Sequence, residues 1–465
     1  MINMETRTLN HTSLKLDRRQ FLRQASAGMA LFSVLPRCVV EGAERLAPNQ
    51  KLNVAGIGVG NQGGRDVDAV AREGHNLVAL CDVDDSYAAK AFERYPKAKK
   101  FKDFRVLFDT LGEEIDAVVI GTPDHTHAVI AMEAMKRGKH VYCEKPLAHN
   151  VHEVRELMAA ARKHKVVTQL GNHGHSFGAI RKVCEWVWAG AIGQVHTVHA
   201  QCGAFKEKYS QIRNLEKLDQ HYEIPKSLDY ELWTGPVPLR PYTPLWVPYN
   251  WRGWMPYGSG CIGDWFCHAM DPAFWALDLD APSTVQAEVT DYDPAKHGLT
   301  YPPAAKITFE FPARGGRGPV KVVWYDGNNT IPRPQQFSPD DQISRTGAVL
   351  FGDKGMIVHG SHGASGCYLT PESLMDQYTG KNAPPEKIPR VKNHFYDWTD
   401  AICSGREAGS NFGYGGPLTQ AALLGAIAIH FPGQVLKWDD KAIRFTNHPE
   451  ANAYVSPPYR SGWRL

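Results

Sequence analysis

Asp264 and His268 stand four residues apart in the segment Gly258-Ser259-Gly260-Cys261-Ile262-Gly263-Asp264-Trp265-Phe266-Cys267-His268. A helix starting at Asp264 places both side chains on one face, one turn apart. A carboxylate beside an imidazole raises its basicity and fixes its tautomer, so the pair can take a hydroxyl proton while hydride leaves the same carbon. The same spacing serves equally well for a capping aspartate and a histidine satisfied in a core. Just upstream, Trp233, Tyr242, Trp246, Tyr249, Trp251, Trp254 and Tyr257 crowd 25 residues. Aromatic faces stack on the C–H faces of sugars, so Trp251 and Tyr257 are candidates for a saccharide cleft, with Arg252 as a hydroxyl or carboxylate clamp. Packing of a long loop is the alternative.

Hydride needs an acceptor, and the N-terminal third carries a signature for one. Gly58-Val59-Gly60-Asn61-Gln62-Gly63 follows an apolar strand and precedes a helical stretch, and Asp82 lies 19 residues beyond Gly63. In that context the glycines let the backbone approach a pyrophosphate, and the helix N-terminus supplies a positive dipole. Gly58, Gly60, Asn61, Gln62 and Gly63 are therefore read as the phosphate turn. Asp82 is read as the acceptor for the adenosine ribose hydroxyls. Its charge would repel a 2′-phosphate, which favours NAD over NADP. Gly121-Thr122-Pro123-Asp124-His125-Thr126-His127 ends the next strand, so Thr122, Pro123 and His127 are expected against the nicotinamide ribose. His125 and His127 lack a third ligand at metal spacing, and no metal is assigned. Glu144-Lys145-Pro146 closes another strand. Lys145 there would point at the reactive end of the cofactor, with a pKa lowered by the nicotinamide cation. By itself the tripeptide fits a surface lysine beside a proline just as well.

These groups must be held by alternating elements. Strands are predicted over 53–59, 77–81, 117–120, 141–143 and 166–170. Helices are predicted over 63–73, 127–137 and 152–164. That alternation predicts a doubly wound parallel sheet over residues 48–170. Beyond 171 the texture changes. Helix over 179–189 and strands over 194–202, 283–290, 305–311, 320–325 and 348–351 predict a second α/β domain, 171–465, with a mostly antiparallel sheet. Helices over 395–404 and 418–430 close it, and 375–390 reads as a polar loop.

The formal charge of +3 over 465 residues resides wholly in residues 1–47, so nothing favours a nucleic acid partner. Arg18-Arg19-Gln20-Phe21-Leu22 precedes the apolar run 25–35. This reads as a twin-arginine export signal and is too short for a membrane span. The expected location is the periplasm or beyond. The nine cysteines include no Cys-x-x-Cys pair, which fits folding in a reducing compartment before export. A protein exported in this way folds around its cofactor and keeps it.

The ordered set of glycine fingerprint, Thr122-Pro123-Asp124-His125-Thr126-His127, Glu144-Lys145-Pro146 and Asp264-x-x-x-His268 resembles the glucose–fructose oxidoreductase and inositol dehydrogenase family, Gfo/Idh/MocA. The resemblance runs from about Lys51 to the end and points to an exported branch. It implies a Rossmann domain, a C-terminal domain with a large open sheet, and dimers or tetramers formed through that sheet. It implies that Lys145 is catalytic and positions substrate, that Glu144 helps hold the cofactor, and that Asp264 and His268 are the catalytic pair. It places Asn172 near the nicotinamide and His173 near substrate, where many relatives carry glutamine or tyrosine. The activity implied is NAD-dependent oxidation of a secondary hydroxyl of a sugar or glycoside. Two alternatives stand beside it. One is an NAD-dependent glycosidase working by transient oxidation at carbon-3 and elimination. The other is a non-catalytic sugar-binding protein.

Overall fold

The computed structural model describes residues 50–203 and 206–465. The twin-arginine motif and the apolar run after it lie outside the described residues. Six strands, β1 (Asn53–Ile57), β2 (Asn76–Cys81), β3 (Lys99–Phe101), β4 (Ala117–Ile120), β5 (His140–Cys143) and β6 (Thr168–Leu170), form a parallel sheet in the order β3-β2-β1-β4-β5-β6. The order reverses between β1 and β4, and the crevice outside the strand ends at such a point is where ligands settle. The central strands are continuous apolar runs because helices cover both faces; every residue of β4 is buried.

The helices of this half are α1 (Asn61–Arg72), α2 (Asp85–Arg94), α3 (Phe104–Leu111), α4 (Asp124–Lys136) and α5 (Val151–His164). α5 begins with a capping box, in which Asn150 and Glu153 satisfy each other's backbone N–H groups. α6 (Gly178–Trp188) leads into the second half, followed by α7 (Gly260–Ala269), α8 (Asp271–Ala276), α9 (His394–Ser404) and α10 (Phe412–Ala428).

The second sheet has nine strands: β7 (Val195–Cys202), β8 (Thr284–Thr290), β9 (Ala304–Phe311), β10 (Val320–Asp326), β11 (Thr346–Gly352), β12 (Met356–Gly360), β13 (Tyr368–Thr370), β14 (Val435–Asp439) and β15 (Arg444–Phe445). Their order is β13-β12-β11-β7-β10-β9-β8-β14-β15. Only β7 and β10 pair in parallel among them. The fold is thus α/β, a Rossmann sheet joined to a mostly antiparallel one. Strands β3, β12, β13, β14 and β15, absent from the sequence reading, complete the two sheets. The polar stretch expected as loop over 375–390 begins inside a helical turn, Ser373–Tyr378.

Two departures concern how the halves join. α9, read as part of the second domain, returns to the first. Phe395 stacks on Tyr142 of β5 at 4.9 Å, and the fully buried Trp398 meets the same ring edge-on at 5.6 Å. The break at residue 171 therefore divides the chain but not the cores. α10 begins at Phe412, six residues before the predicted start, with Pro417 inside it. Its glycines permit close approach. A Cβ at Gly416 would run into Met158 of α5, and one at Gly425 into Ile262 of α7. One buried helix thereby locks the Rossmann half against the helix that carries Asp264 and His268.

Candidate functional site

The glycine turn after β1 forms one wall of a cleft at the carboxyl ends of β1, β2 and β4. Gly58 has φ +77°, and a Cβ there would lie 2.6 Å from the Thr122 backbone nitrogen. At Gly63 a Cβ would strike the Gly58 carbonyl, and at Gly60 the Tyr87 ring. Gly58, Gly60, Asn61, Gln62, Asp82, Thr122 and Pro123 line the cleft, whose free space is about 980 Å³, continuous with solvent. The Thr122 hydroxyl is buried and has no hydrogen-bond partner among the described residues. A glycine cradle and an unsatisfied hydroxyl in one cleft fit a dinucleotide.

Asp82 does more here than the sequence reading assigned. Its Oδ2 accepts the N–H groups of Val59 (2.9 Å) and Gly60 (3.1 Å), and its Oδ1 accepts that of Asp84 (3.0 Å). It holds the phosphate turn in shape as well as lining the cleft. Burial pushes its carboxyl up to about 6, against the pull of those backbone donors.

The reactive groups meet where the halves join. Lys145, just beyond β5, and Asp264, on α7, form an ion pair with Nζ and Oδ1 2.6 Å apart. The other carboxylate oxygen, Oδ2, accepts Lys208 Nζ at 2.9 Å and the Tyr209 hydroxyl at 2.5 Å, with Arg252 Nε 3.5 Å away. Burial alone would raise the Asp264 carboxyl; Lys145, Arg252 and Lys208 together hold it well below its ordinary range. Arg252 is sandwiched, its guanidinium 4.1 Å from the Trp251 ring centre and 4.4 Å from that of Tyr249.

Three expectations are corrected at this centre. The Lys145 ammonium is not pushed down. Burial lowers it, but the Asp264 and Glu144 carboxylates outweigh burial and raise it, so the side chain is a fixed cation. Asp264 does not orient His268, because its oxygens are taken by the cations and Tyr209. His268 instead stacks on His362, with ring centres 4.0 Å apart and planes 19° apart. Its Nδ1 is buried without a partner among the described residues. Burial, then the Lys145 and His362 charges, keep the imidazole neutral at neutral pH. Asn172 does not face the cofactor cleft. Its amide donates to Asp271 (3.0 Å) and its carbonyl accepts from Ser410 (2.6 Å), both inside the core.

Other assigned residues serve the frame. His127 ring nitrogens each lie 2.8 Å from a carbonyl, Pro146 on one side and Thr122 on the other. The imidazole thus ties the loop after β4 to the loop after β5 and has no nitrogen left for a ligand. His125 likewise sits between the Trp233 and Tyr257 carbonyls, 2.8 and 3.2 Å from its ring nitrogens; burial drives it down to about 3, so its single N–H donates to one of them. Tyr257 is fully buried and packs with Trp233, Trp246 and Trp254 as a separate core. It offers no open face to a sugar. Trp251 and Arg252 line the dinucleotide cleft itself. Glu144 and His173 lie together: His173 Nε2 is 3.4 Å from Glu144 Oε1 and 3.6 Å from Asp66 Oδ1.

Sequence reasoning missed Lys208, Tyr209, Asp66 and His362. Lys208 and Tyr209 sit in the four-residue turn Lys206–Tyr209, which carries no pattern. His362 had one faint signal, its glycine-rich surroundings. It, Gly363 and Ala364 are left-handed, with φ of 54°, 72° and 61°. Strained backbone of this kind gathers at functional sites. Gly363 meets Gly174 backbone to backbone, which brings His362 beside the loop after β6.

The fold and the cleft define a two-domain protein built to hold a dinucleotide beside a cationic, imidazole-bearing centre. A profile described as the oxidoreductase family, NAD-binding Rossmann fold, matches residues 52–172. A second, for that family's C-terminal α/β domain, matches residues 177–314. The two together span more than half of the chain, which belongs to the Gfo/Idh/MocA oxidoreductase family. The chain is similar to an inositol 2-dehydrogenase of Rubrobacter xylanophilus, 32% identical over 155 residues, or 31% of this chain and 42% of that protein. It is also similar to a levoglucosan dehydrogenase of Pseudarthrobacter phenanthrenivorans, 30% identical over 116 residues, or 25% of this chain and 29% of that protein. These matches span less than half of either relative. An inositol dehydrogenase homologue from Azotobacter vinelandii, solved with NADH and myo-inositol, shares the fold at TM-score 0.54 and 16% identity, covering 86% of this chain and all (100%) of that one.

Proposed function

We propose that the protein oxidises a secondary hydroxyl of a sugar or glycoside with NAD as the hydride acceptor. The observation that carries this reading is the Lys145–Asp264 ion pair of 2.6 Å near the neutral His268, just past β5, with Arg252 lying beside Asp264 and also lining the dinucleotide cleft. Gly58, Gly60, Gly63, Asp82 and Thr122 would hold the dinucleotide, and a bound nicotinamide supplies the hydride acceptor. Lys145, a fixed cation, donates a hydrogen bond to the reacting hydroxyl oxygen and stabilises negative charge there. His268 takes the hydroxyl proton on its neutral imidazole. Asp264 positions Lys145 and Arg252. The names of the relatives, inositol and levoglucosan, support a polyhydroxylated ring as substrate. Asp82 supports NAD over NADP.

The reading extends to export through the twin-arginine signal, to a cofactor retained through purification, and to a homo-oligomer formed through the nine-stranded sheet. No helix among the described residues is long and apolar enough to cross a membrane.

The experiment is to release and identify the cofactor from freshly purified protein, then add sugars singly and follow NADH absorbance. A sugar that reduces bound NAD, with the signal lost in His268→Ala, supports the reading. Protein that binds NAD and reduces none with any sugar or polyol counts against it.

A second reading is favoured by the stacked His268 and His362, which offer two neutral bases. Oxidation at carbon-3 followed by elimination needs one base for the hydroxyl and another for the adjacent C–H. Release of aglycone from a chromogenic glycoside, without net NADH, selects this glycosidase over the dehydrogenase.

A further inference from the structure

Three ionisable side chains that the proposed reaction does not use converge from three elements: Asp66 on α1, Glu144 after β5 and His173 after β6. One ligand atom from each lies within 4.8 Å of the other two. His173 Nε2 stands 3.4 Å from Glu144 Oε1 and 3.6 Å from Asp66 Oδ1. Ligands held about 2.1 Å from a tetrahedral ion lie about 3.4 Å from one another. Asp66 is wholly buried and Glu144 is 7% exposed, so both carboxylates are withdrawn from water.

Their hydrogen bonding is incomplete. Asp66 Oδ1 accepts from Gln62 and Asp66 Oδ2 is buried without a partner among the described residues, while Glu144 Oε1 and His173 Nε2, both buried, meet each other at 3.4 Å, a contact that helps hold the Glu144 carboxyl down. Independently of these three, the hydroxyl of Tyr142 is also buried and unpartnered, in a residue with no exposed surface. Its ring meets the His173 ring edge-on at 6.2 Å, and the Asp66 and Glu144 charges act on it. Buried carboxylates persist when paired or coordinated to a metal. The Lys145 ammonium acts on both carboxylates from a distance while it donates to Asp264 at 2.6 Å.

We propose that Asp66, Glu144 and His173 form a binding site for one first-row divalent cation, of the zinc or manganese class. Two carboxylates and one imidazole make a neutral complex with such an ion and suit both metals. His173, with 29% of its side chain exposed, marks the open side where a fourth ligand, water or a substrate oxygen, would enter. An ion there would also neutralise Glu144, one of the two carboxylates that face Lys145.

The test uses the full chain, purified without a histidine tag and without chelator. Metal content is measured first. Protein dialysed against EDTA is then titrated with Zn²⁺ and with Mn²⁺, following heat of binding and melting temperature. The expected result is about one ion per chain and a rise in melting temperature. Affinity should fall at least tenfold in both Asp66→Asn and His173→Gln. His173→Gln keeps the test decisive should Asp66→Asn fail to fold, because His173 lies partly at the surface. Absence of any site tighter than millimolar, or binding unchanged in His173→Gln, would overturn the proposal.

Discussion

Lys145 Nζ and Asp264 Oδ1 lie 2.6 Å apart, although 119 residues separate them. One belongs to a Rossmann strand end and the other to a helix of the second domain. The contact joins the Rossmann half to the half built on the nine-stranded sheet. Asp264→Asn should lower kcat about 100-fold or more by loosening Lys145. It also removes the largest influence raising the Lys145 ammonium. If Lys145 acts as a cation, the alkaline limb of the pH–rate profile moves to lower pH. An alkaline limb that stays in place would dissociate Lys145 from the chemistry.

His268 is a neutral imidazole with His362 stacked against it. His268→Ala should reduce kcat by about 10²–10⁴-fold, the usual range for losing a general base. NADH affinity, read by fluorescence titration, should remain as in the parent. His362→Phe keeps the burial and the stacking but removes a charge that holds His268 down. The acid limb should therefore move to higher pH.

The proposed preference for NAD rests on the charge of Asp82. Asp82→Asn should narrow the preference for NAD over NADP, measured as the ratio of kcat/KM values. Because burial holds this carboxyl at about 6, the parent protein should show the same narrowing as pH falls through 6. A ratio that is flat from pH 5 to 8 would show that Asp82 does not face the 2′ position.

Acid should destabilise the fold. His75, His199, His359 and His430 are driven down to about 4 by burial, and His125 to about 3. Unfolded, each takes a proton near its ordinary value, so the stability from burying it neutral is complete above that value. It is lost as pH falls from about 6.5 toward 4. Asp82 and Asp326, raised to about 6 by burial, act oppositely: they favour the folded state as pH falls through that window. His140, His268, His362 and His394 are lowered as well and Asp66 and Asp124 raised, so nine imidazoles stand against four carboxylates. Melting temperature should drop between pH 7 and pH 5, which calorimetry across that range measures.

Much of the frame was legible in the residues. The strand over 117–120 matches the structure residue for residue, because an apolar run between turn residues in an α/β alternation has few other fates. The phosphate turn was legible because only glycine tolerates the approaches at 58 and 63. The start of α10 was missed by six residues. α10 begins among glycines that serve close packing, and nothing local separates that use from a loop.

At the site, the sequence by itself determined which reactive groups the chain possesses and that Asp82, Thr122 and Lys145 would stand just past strand ends along one edge of the parallel sheet. Periodicity and turn chemistry act over a few residues and suffice for that. Which groups meet was decided only by tertiary structure. Asp264 pairs with Lys145, Lys208 and Tyr209 instead of its neighbour His268. His268 finds His362 across 94 residues of chain. Asp66, Glu144 and His173 come together from three separate elements. Such contacts depend on the register of two sheets and the depth at which α10 seats between them. They are settled by burial and charge balance over the whole molecule, which no local pattern encodes.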